Sequence, residues 1–411
     1  MSDVSRNERP LGGAEVALVT YSTKPRGGVV HTLSLAEALL REGVDVHVVT
    51  LGQTGTGFFR PTTVPFTVIP APPRGDTLEE RVFASVDALE VGLRAFGDRF
   101  ALVHTQDCIS ARAAARVRDT AGGPPVVRTV HHMDDFTTEA LICCQQRAVL
   151  EPDTVLVVSE QWRRILAEDF PVRPQVVHNG VDVERFAPVA DATRAKLRSR
   201  VGAADRFLLL AVGGVEPRKG SVHLFDALGL LHQRMERPPV LAVIGGHSFQ
   251  DYAQYRSDAL ARLDRLGLEL GTDVVLLGTV DDDEMAAWYR SADALAFPSV
   301  KEGWGLAVLE AMSADLPVVT SDLEVFHEYL VDGRDVLMTP VGDAAALADA
   351  LERVVREPRV RADLANAGRA VASRFSWRSS AAEHLKIYES VLAGRTTALT
   401  ATTTAGDPSL R

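Results

Sequence analysis

Two glutamates, Glu302 and Glu310, stand in the stretch P-S-V-K-E-G-W-G-L-A-V-L-E-A-M between Pro298 and Met312. The apolar run A-D-A-L-A-F before it has the length of a buried parallel strand. Behind it, Leu306, Val308, Leu309 and Met312 recur at helical spacing, so the segment reads as strand, glycine turn, helix. Glu302 falls in the turn, and Glu310 is expected about two turns inside the helix. Gly303 and Gly305 let backbone approach a ligand, and the first N–H groups of a helix have no intrahelical partner. Such a helix start takes a phosphate readily. A carboxylate on either side, each accepting from hydroxyls, completes the requirements of a sugar nucleotide.

Other residues with chemical potential sit where strands should end. Ala14–Tyr21 reads as a first buried strand, followed by a Gly27–Gly28 turn that opens a helix carrying Leu33, Ala36 and Leu40 on one face. A dinucleotide-binding turn requires G-x-G-x-x-G here, and that pattern is absent. The strand P-V-V-R-T-V (125–130) runs into H-H-M-D-D-F, placing His131 and His132 at its carboxyl end. Neighbouring side chains at a strand end point in opposite directions, so one histidine at most is expected to serve a site. Two adjacent histidines lack the i, i+4 spacing of a helical zinc pair, and the three cysteines have no metal-ligand spacing. No metal site is expected, with Asp134 and Asp135 as the fallback should a metal requirement emerge.

Elements of alternating strand and helix surround these points throughout, with further strands at 46–50, 66–70, 101–105, 154–159, 175–182, 241–246, 273–280 and 316–322. The length of 411 residues favours two domains over one core. Gly52–Pro65 is a long glycine-rich connection whose Phe58, Phe59 and Arg60 either line a cleft or pack as a surface loop. The ends, 1–11 and 396–411, are expected to be disordered, the latter from its low-complexity threonine-rich composition.

The Pro298–Met312 string resembles the E-x7-E signature of family 4 glycosyltransferases, retaining enzymes of the GT-B fold. Several other segments match that family in order along nearly the whole chain. The resemblance implies an α/β molecule of two doubly wound Rossmann-like domains facing across a cleft. It divides the chain into an acceptor-side domain (12–183, joined by a crossing helix 375–392) and a donor-binding domain (184–374). It also implies that the cleft beside Gly52–Pro65 is the acceptor's. It implies that Glu310 binds ribose hydroxyls, that Glu302 binds the transferred sugar, and that Lys219 in V-G-G-V-E-P-R-K-G-S binds the diphosphate. Gly303, Trp304, Gly305 and Leu306 belong to the donor turn, Gly278 and Val280 to the base contacts, and Gly27 and Gly28 to the donor phosphate. His131 is the closer match to a family histidine that contacts donor sugar and diphosphate. The pattern departs at Gly214, where the family carries an arginine; Arg218 is the candidate replacement. H-N-G-V-D from His178 reads as a hinge between domains.

Composition excludes several alternatives. Net charge is −11, divided as 19 − 24 = −5 over residues 1–185 and 25 − 31 = −6 over the rest, so neither half offers a nucleic-acid-binding field. No apolar run reaches the roughly 20 residues of a membrane span, which leaves peripheral membrane contact open. The polar start lacks a signal-peptide core, and a cytoplasmic setting is expected. The expected activity is metal-independent, cofactor-free hexosyl transfer from a UDP- or GDP-linked sugar to an acceptor that the sequence does not identify. An epimerase or retaining phosphorylase on the same fold, or a non-catalytic sugar-nucleotide binder, are the rival readings. Oligomeric state is left open.

Overall fold

The computed structural model describes residues 10–246, 249–250 and 252–404, the side chains of 395–404 excepted. The chain divides into two compact units. The first comprises residues up to Asn179 and those from Trp377 on, and the second is Gly180–Ser376.

The first unit is built on seven parallel strands: β1 (Val16–Thr20), β2 (Val46–Gly52), β3 (Phe66–Pro70), β4 (Leu102–Thr105), β5 (Val126–Val130), β6 (Thr154–Val157) and β7 (Gln175–Val176). Their order is β3-β2-β1-β4-β5-β6-β7. Every residue of β1, β4 and β5 is buried, as a parallel sheet covered by helices on both faces requires. The order reverses direction between β1 and β4, and ligands of open α/β sheets bind outside the carboxyl ends of strands at such a point. Gly27–Gly28, Gln106 and His131 all follow strands β1, β4 and β5 at that end.

The second unit repeats the plan with six strands: β8 (Leu208–Val212), β9 (Val240–Ile244), β10 (Val274–Gly278), β11 (Ala294–Phe297), β12 (Val318–Ser321) and β13 (Leu337–Thr339), ordered β10-β9-β8-β11-β12-β13. Its core gathers Leu209, Leu228, Leu241, Leu351 and their neighbours between sheet and helices. The reversal lies between β8 and β11, and the two segments that leave these strands carry Lys219 and Glu302.

The two chain passages between the units run side by side where they leave the second, with Val181 N–H donating to the Phe375 carbonyl at 3.1 Å. The C-terminal helix, Trp377–Thr404, is part of the first unit and packs against the helix Gly27–Arg41. It extends past the expected end at Leu392 and into the stretch expected to be disordered from 396. Alanine and leucine among the threonines keep that run permissive for helix. Residues 1–9 and 405–411 lie outside the described residues. Pro10 and Leu11, also expected to be disordered, begin a short 3-10 turn. No helix among the described residues is long and apolar enough to cross a membrane.

Candidate active site

Lys219 stands in a short 3-10 turn, Pro217–Lys219, that ends in a left-handed glycine. Gly220 has φ +66°, and a β-carbon there would fall 2.0 Å from the Pro298 carbonyl oxygen, so only glycine lets this turn lie against the segment leaving β11. Val300 N–H donates to the Arg218 carbonyl at 2.8 Å, which locks the two segments together. The result is a convergence on one atom. Lys219 Nζ lies 2.7 Å from Glu302 Oε1, and Arg218 Nη1 lies 3.1 Å from the same oxygen. Arg218 also donates to the Lys301 carbonyl at 3.2 Å, and the Lys219 ammonium sits 4.5 Å from the Phe297 ring centroid.

The electrostatics follow from burial and pairing. Burial alone would raise the Glu302 carboxyl, but Lys219 and Arg218 outweigh it and hold it down at about 2. Burial lowers the Lys219 ammonium, opposed by Glu302, while Glu216 acts on it through charge. Glu302 is therefore a fixed anion at neutral pH, with two cations on one of its oxygens.

The helix that follows begins at Leu306, later than the sequence suggests, because Gly305 takes φ +92° and serves as its N-cap without a side-chain hydrogen bond. A β-carbon at Gly305 would lie 2.6 Å from the Phe326 ring, so this residue is fixed as glycine by packing as well as by conformation. The late start places Glu310 one turn inside the helix Leu306–Ser313 and not two. Its Oε2 accepts from Tyr289 Oη at 2.7 Å. Burial raises the Glu310 carboxyl, and the Arg185 charge opposes that rise. Arg185 is itself paired with Asp282 at 2.7 Å.

Other expected donor residues have mixed surroundings. The Trp304 indole is packed, stacked on Tyr329 at 4.5 Å and edge-on to Phe375 at 5.3 Å, and the Trp304 carbonyl accepts from Tyr329 Oη at 2.8 Å. Its indole therefore braces the turn. Gly278 ends β10 with φ +66°, and its carbonyl accepts from Gly245 N–H at 2.9 Å; Val280 is half-buried just beyond. At Gly214, where the family pattern has arginine, a β-carbon would meet the Gly246 carbonyl at 2.9 Å with φ +75°, so a side chain is excluded there.

In the first unit, Gly27 opens a helix whose N-cap, Arg26, makes no side-chain cap. A β-carbon on Gly28 would touch the His131 ring at 3.8 Å, which places these two expected residues together. His131 Nε2 lies 3.1 Å from Gln106 Oε1, whereas His132 turns to Asp134 at 3.6 Å, the divergence that strand geometry requires. Burial, then the nearby His132, Arg128 and His384, lowers His131 to about 3, so the ring is neutral. Among the described residues no cluster of three or more histidine, cysteine, aspartate or glutamate side chains is placed to hold a metal. Arg60 is paired with Glu37 at 2.6 Å and Phe58 packs on Phe66, so the Gly52–Pro65 connection is a packed surface loop at these residues.

Sequence reasoning missed Tyr289, Arg185 and Gln106. The available signals were a glutamine directly after the strand Leu102–Thr105, at the ligand-binding end of the sheet, and an arginine inside the H-N-G-V-D-x-x-R-F run; nothing in the sequence marks Tyr289.

These features match known proteins along the chain. Residues 25–185 fit the family model "Glycosyltransferase Family 4", and residues 193–371 fit "Glycosyl transferases group 1". The D-inositol 3-phosphate glycosyltransferase of Saccharomonospora viridis is 31% identical over 92% of both chains. The chain belongs to the family 4 glycosyltransferases. The phosphatidyl-myo-inositol mannosyltransferase of Mycobacterium leprae is 30% identical over 90% of this chain and 95% of that protein. Among solved structures, sucrose-phosphate synthase from Thermosynechococcus elongatus shares the fold with a TM-score of 0.77 at 22% identity, covering 93% of this chain and 100% of that one. HepE of Anabaena, solved with UDP and glucose, has a TM-score of 0.73 at 20% identity, covering 91% and 99%. This glycosyltransferase thus has the GT-B fold, with its two parallel sheets in the order described above.

Proposed function

We propose that this glycosyltransferase moves a hexosyl group, with retention of anomeric configuration and without a metal ion, from a UDP- or GDP-linked sugar to an acceptor bearing an inositol phosphate. The convergence of Lys219 and Arg218 on Glu302, beside a helix start capped only by a glycine, carries this reading. Two cations and a row of helix N–H groups suit the charge that gathers on a departing diphosphate. Charge supplied this way replaces what a divalent ion would supply. When the donor binds, Lys219 shifts its ammonium towards the diphosphate, and Glu302, still ionised, accepts hydrogen bonds from the sugar. Glu310 accepts from the ribose hydroxyls, and Gly278 and Val280 contact the base through their backbone. Gly27, Gly28 and His131 are assigned to the phosphate and sugar portions of the donor on the family pattern. UDP bound to HepE, and the inositol 3-phosphate and phosphatidyl-myo-inositol named in the two similar glycosyltransferases, support the substrate classes.

The test is transfer from UDP- and GDP-hexoses to inositol phosphates in the presence of a chelator, read as nucleoside diphosphate release and as the anomeric configuration of the product by NMR. The reading requires an acceptor-dependent product of unchanged configuration. Strict dependence on added magnesium or manganese would overturn metal independence, and donor conversion without acceptor would overturn transfer.

A further inference from the structure

Behind His131 runs a line of polar side chains that ends on the C-terminal helix. Gln106 Oε1 lies 3.1 Å from His131 Nε2, and Gln106 Nε2 lies 3.3 Å from His104 Nε2. His104 Nδ1 lies 2.7 Å from Tyr388 Oη, and Thr129 Oγ1 lies 2.8 Å from His104 Nε2. Gln106, His104, Thr129 and Tyr388 are all buried, so water does not compete for these bonds.

The line has a direction. A carboxamide oxygen only accepts, so His131 Nε2 carries a hydrogen and donates to Gln106. A carboxamide nitrogen only donates, so His104 Nε2 is a lone pair, which the Thr129 hydroxyl also engages. The His104 proton then sits on Nδ1 and goes to Tyr388 Oη. With the His131 ring neutral, its Nδ1 is left as a lone pair. The titratable groups around that ring are His31, at 4.6 Å between ring centroids, together with His132, Arg128 and His384. Of these, His132, Arg128 and His384 oppose a second proton on His131. Asp134, three residues along the chain, is engaged with His132.

We propose that Gln106, backed by His104 and Tyr388, is the positioning residue that fixes His131 as its Nε2–H tautomer, so that Nδ1 is presented as a hydrogen-bond acceptor to a hydroxyl of the sugar substrate. The assignment of the sugar to His131 rests on the function proposed above; the tautomer does not. A neutral acceptor suits a hydroxyl better than an imidazolium, which has only donors to offer. The glutamine thereby selects which chemistry the histidine can perform without touching substrate itself.

The experiment is a two-bond 1H–15N correlation on the full chain labelled with 15N-histidine, the His131 signals being assigned by their loss in His131→Asn. The wild type is expected to show the Nε2–H pattern near neutral pH. Gln106→Leu is expected to show a mixed tautomer, with kcat lowered by up to about 10²-fold and donor KM nearly unchanged, as suits lost orientation. Gln106→Glu places a carboxylate on the same nitrogen and is expected to bring an imidazolium pattern into the neutral range. If Gln106→Leu does not fold, Tyr388→Phe reads the same relay from its far end and is expected to loosen the tautomers of His104 and His131. A wild-type Nδ1–H pattern, or an unaltered His131 pattern in the folded Gln106 and Tyr388 variants, overturns the proposal. Because the spectrum needs no substrate, failure of the proposed transfer reaction would leave this result separately readable.

Discussion

At the strand ends of the second unit the side chains are ionised and paired: Lys219 and Arg218 share Glu302, and Arg185 holds Asp282 beside Glu310. At the corresponding ends of the first unit, buried imidazoles take their place. His31, His104 and His384 are wholly inaccessible, and His131 joins them through ring contacts and through Gln106. His31 Nδ1 is tied to Asn179 at 2.9 Å and His384 Nδ1 to the Ser380 carbonyl at 2.8 Å. One sheet order thus supports two electrostatic designs. Where charge must be met, the second unit pairs its cations with a carboxylate that stays ionised. Where a sugar's hydroxyls would be met, the first unit keeps rings neutral, and burial is the means.

Acid separates these designs most sharply. Burial lowers His31 and His104 well below the ordinary 6.5, and lowers His384 to about 4. Below about 6.5 the unfolded chain binds protons at these positions while the folded chain resists them, down to about 4 for His384, so stability falls as pH falls below 6.5 and is intact above it. Three such groups cost on the order of 4 kcal/mol per pH unit. Glu302, held at about 2, gives the second unit stability that is fully present above about 4.5 and is lost only as pH falls from there towards 2. Hydrogen exchange read from about pH 7 down to about pH 5 should therefore show β1, β4 and β5 losing protection before β8, β11 and β12. Simultaneous loss in both units would defeat the comparison.

Removing charge from the second unit tests its side of the contrast. Lys219→Ala is expected to lower kcat by about 10²–10³, the usual cost of one preorganised electrostatic contact to a developing charge. Arg218→Ala should cost measurably less, since Arg218 reaches the same Glu302 oxygen at a longer distance and is the more exposed of the two. Equal and negligible effects on turnover in folded variants would remove both from the diphosphate. Glu302 comes next. Glu302→Gln keeps hydrogen bonding and should be milder in kcat than Glu302→Ala, which also leaves the buried ammonium of Lys219 without its main partner. The same loss in both would reduce Glu302 to a counter-ion for Lys219.

The fold and the charged half of the site were legible because both are local. Strands of continuous apolar residues, glycine turns and the E-x7-E spacing lie within short windows, and Lys219, Glu302 and Glu310 each sit in one. What escaped notice depends on residues far apart in the chain. Gln106 meets His131 only because β4 and β5 are adjacent, and Tyr388 meets His104 only because the last helix packs back onto the first unit. Glu310 was placed a turn too deep because nothing in the sequence marks Gly305, rather than Gly303, as the left-handed cap that sets the helix start.

The smallest expected effect concerns Glu310, and it separates binding from catalysis within the second unit. On the proposed function, a carboxylate on a rigid helix that accepts from ribose makes the same contact before and during the reaction, so its loss belongs in donor KM and not in kcat. Glu310→Gln should raise donor KM with kcat nearly constant. Tyr289→Phe removes a hydrogen bond to the carboxylate, at about 1 kcal/mol, or roughly a five-fold rise in donor KM. The pH dependence has a fixed sign. Burial raises the Glu310 carboxyl above its ordinary 4.5, so the carboxylate is lost, and donor KM rises, as pH falls through a value higher than that. In Tyr289→Phe the carboxylate loses a donor that favours its charged form, so the limb moves to still higher pH. Steady-state kinetics with saturating acceptor and varied donor, repeated across pH, reads both quantities. A fall in kcat in Glu310→Gln equal to that in Glu302→Gln, with KM untouched in both, would mean that the two glutamates share one role.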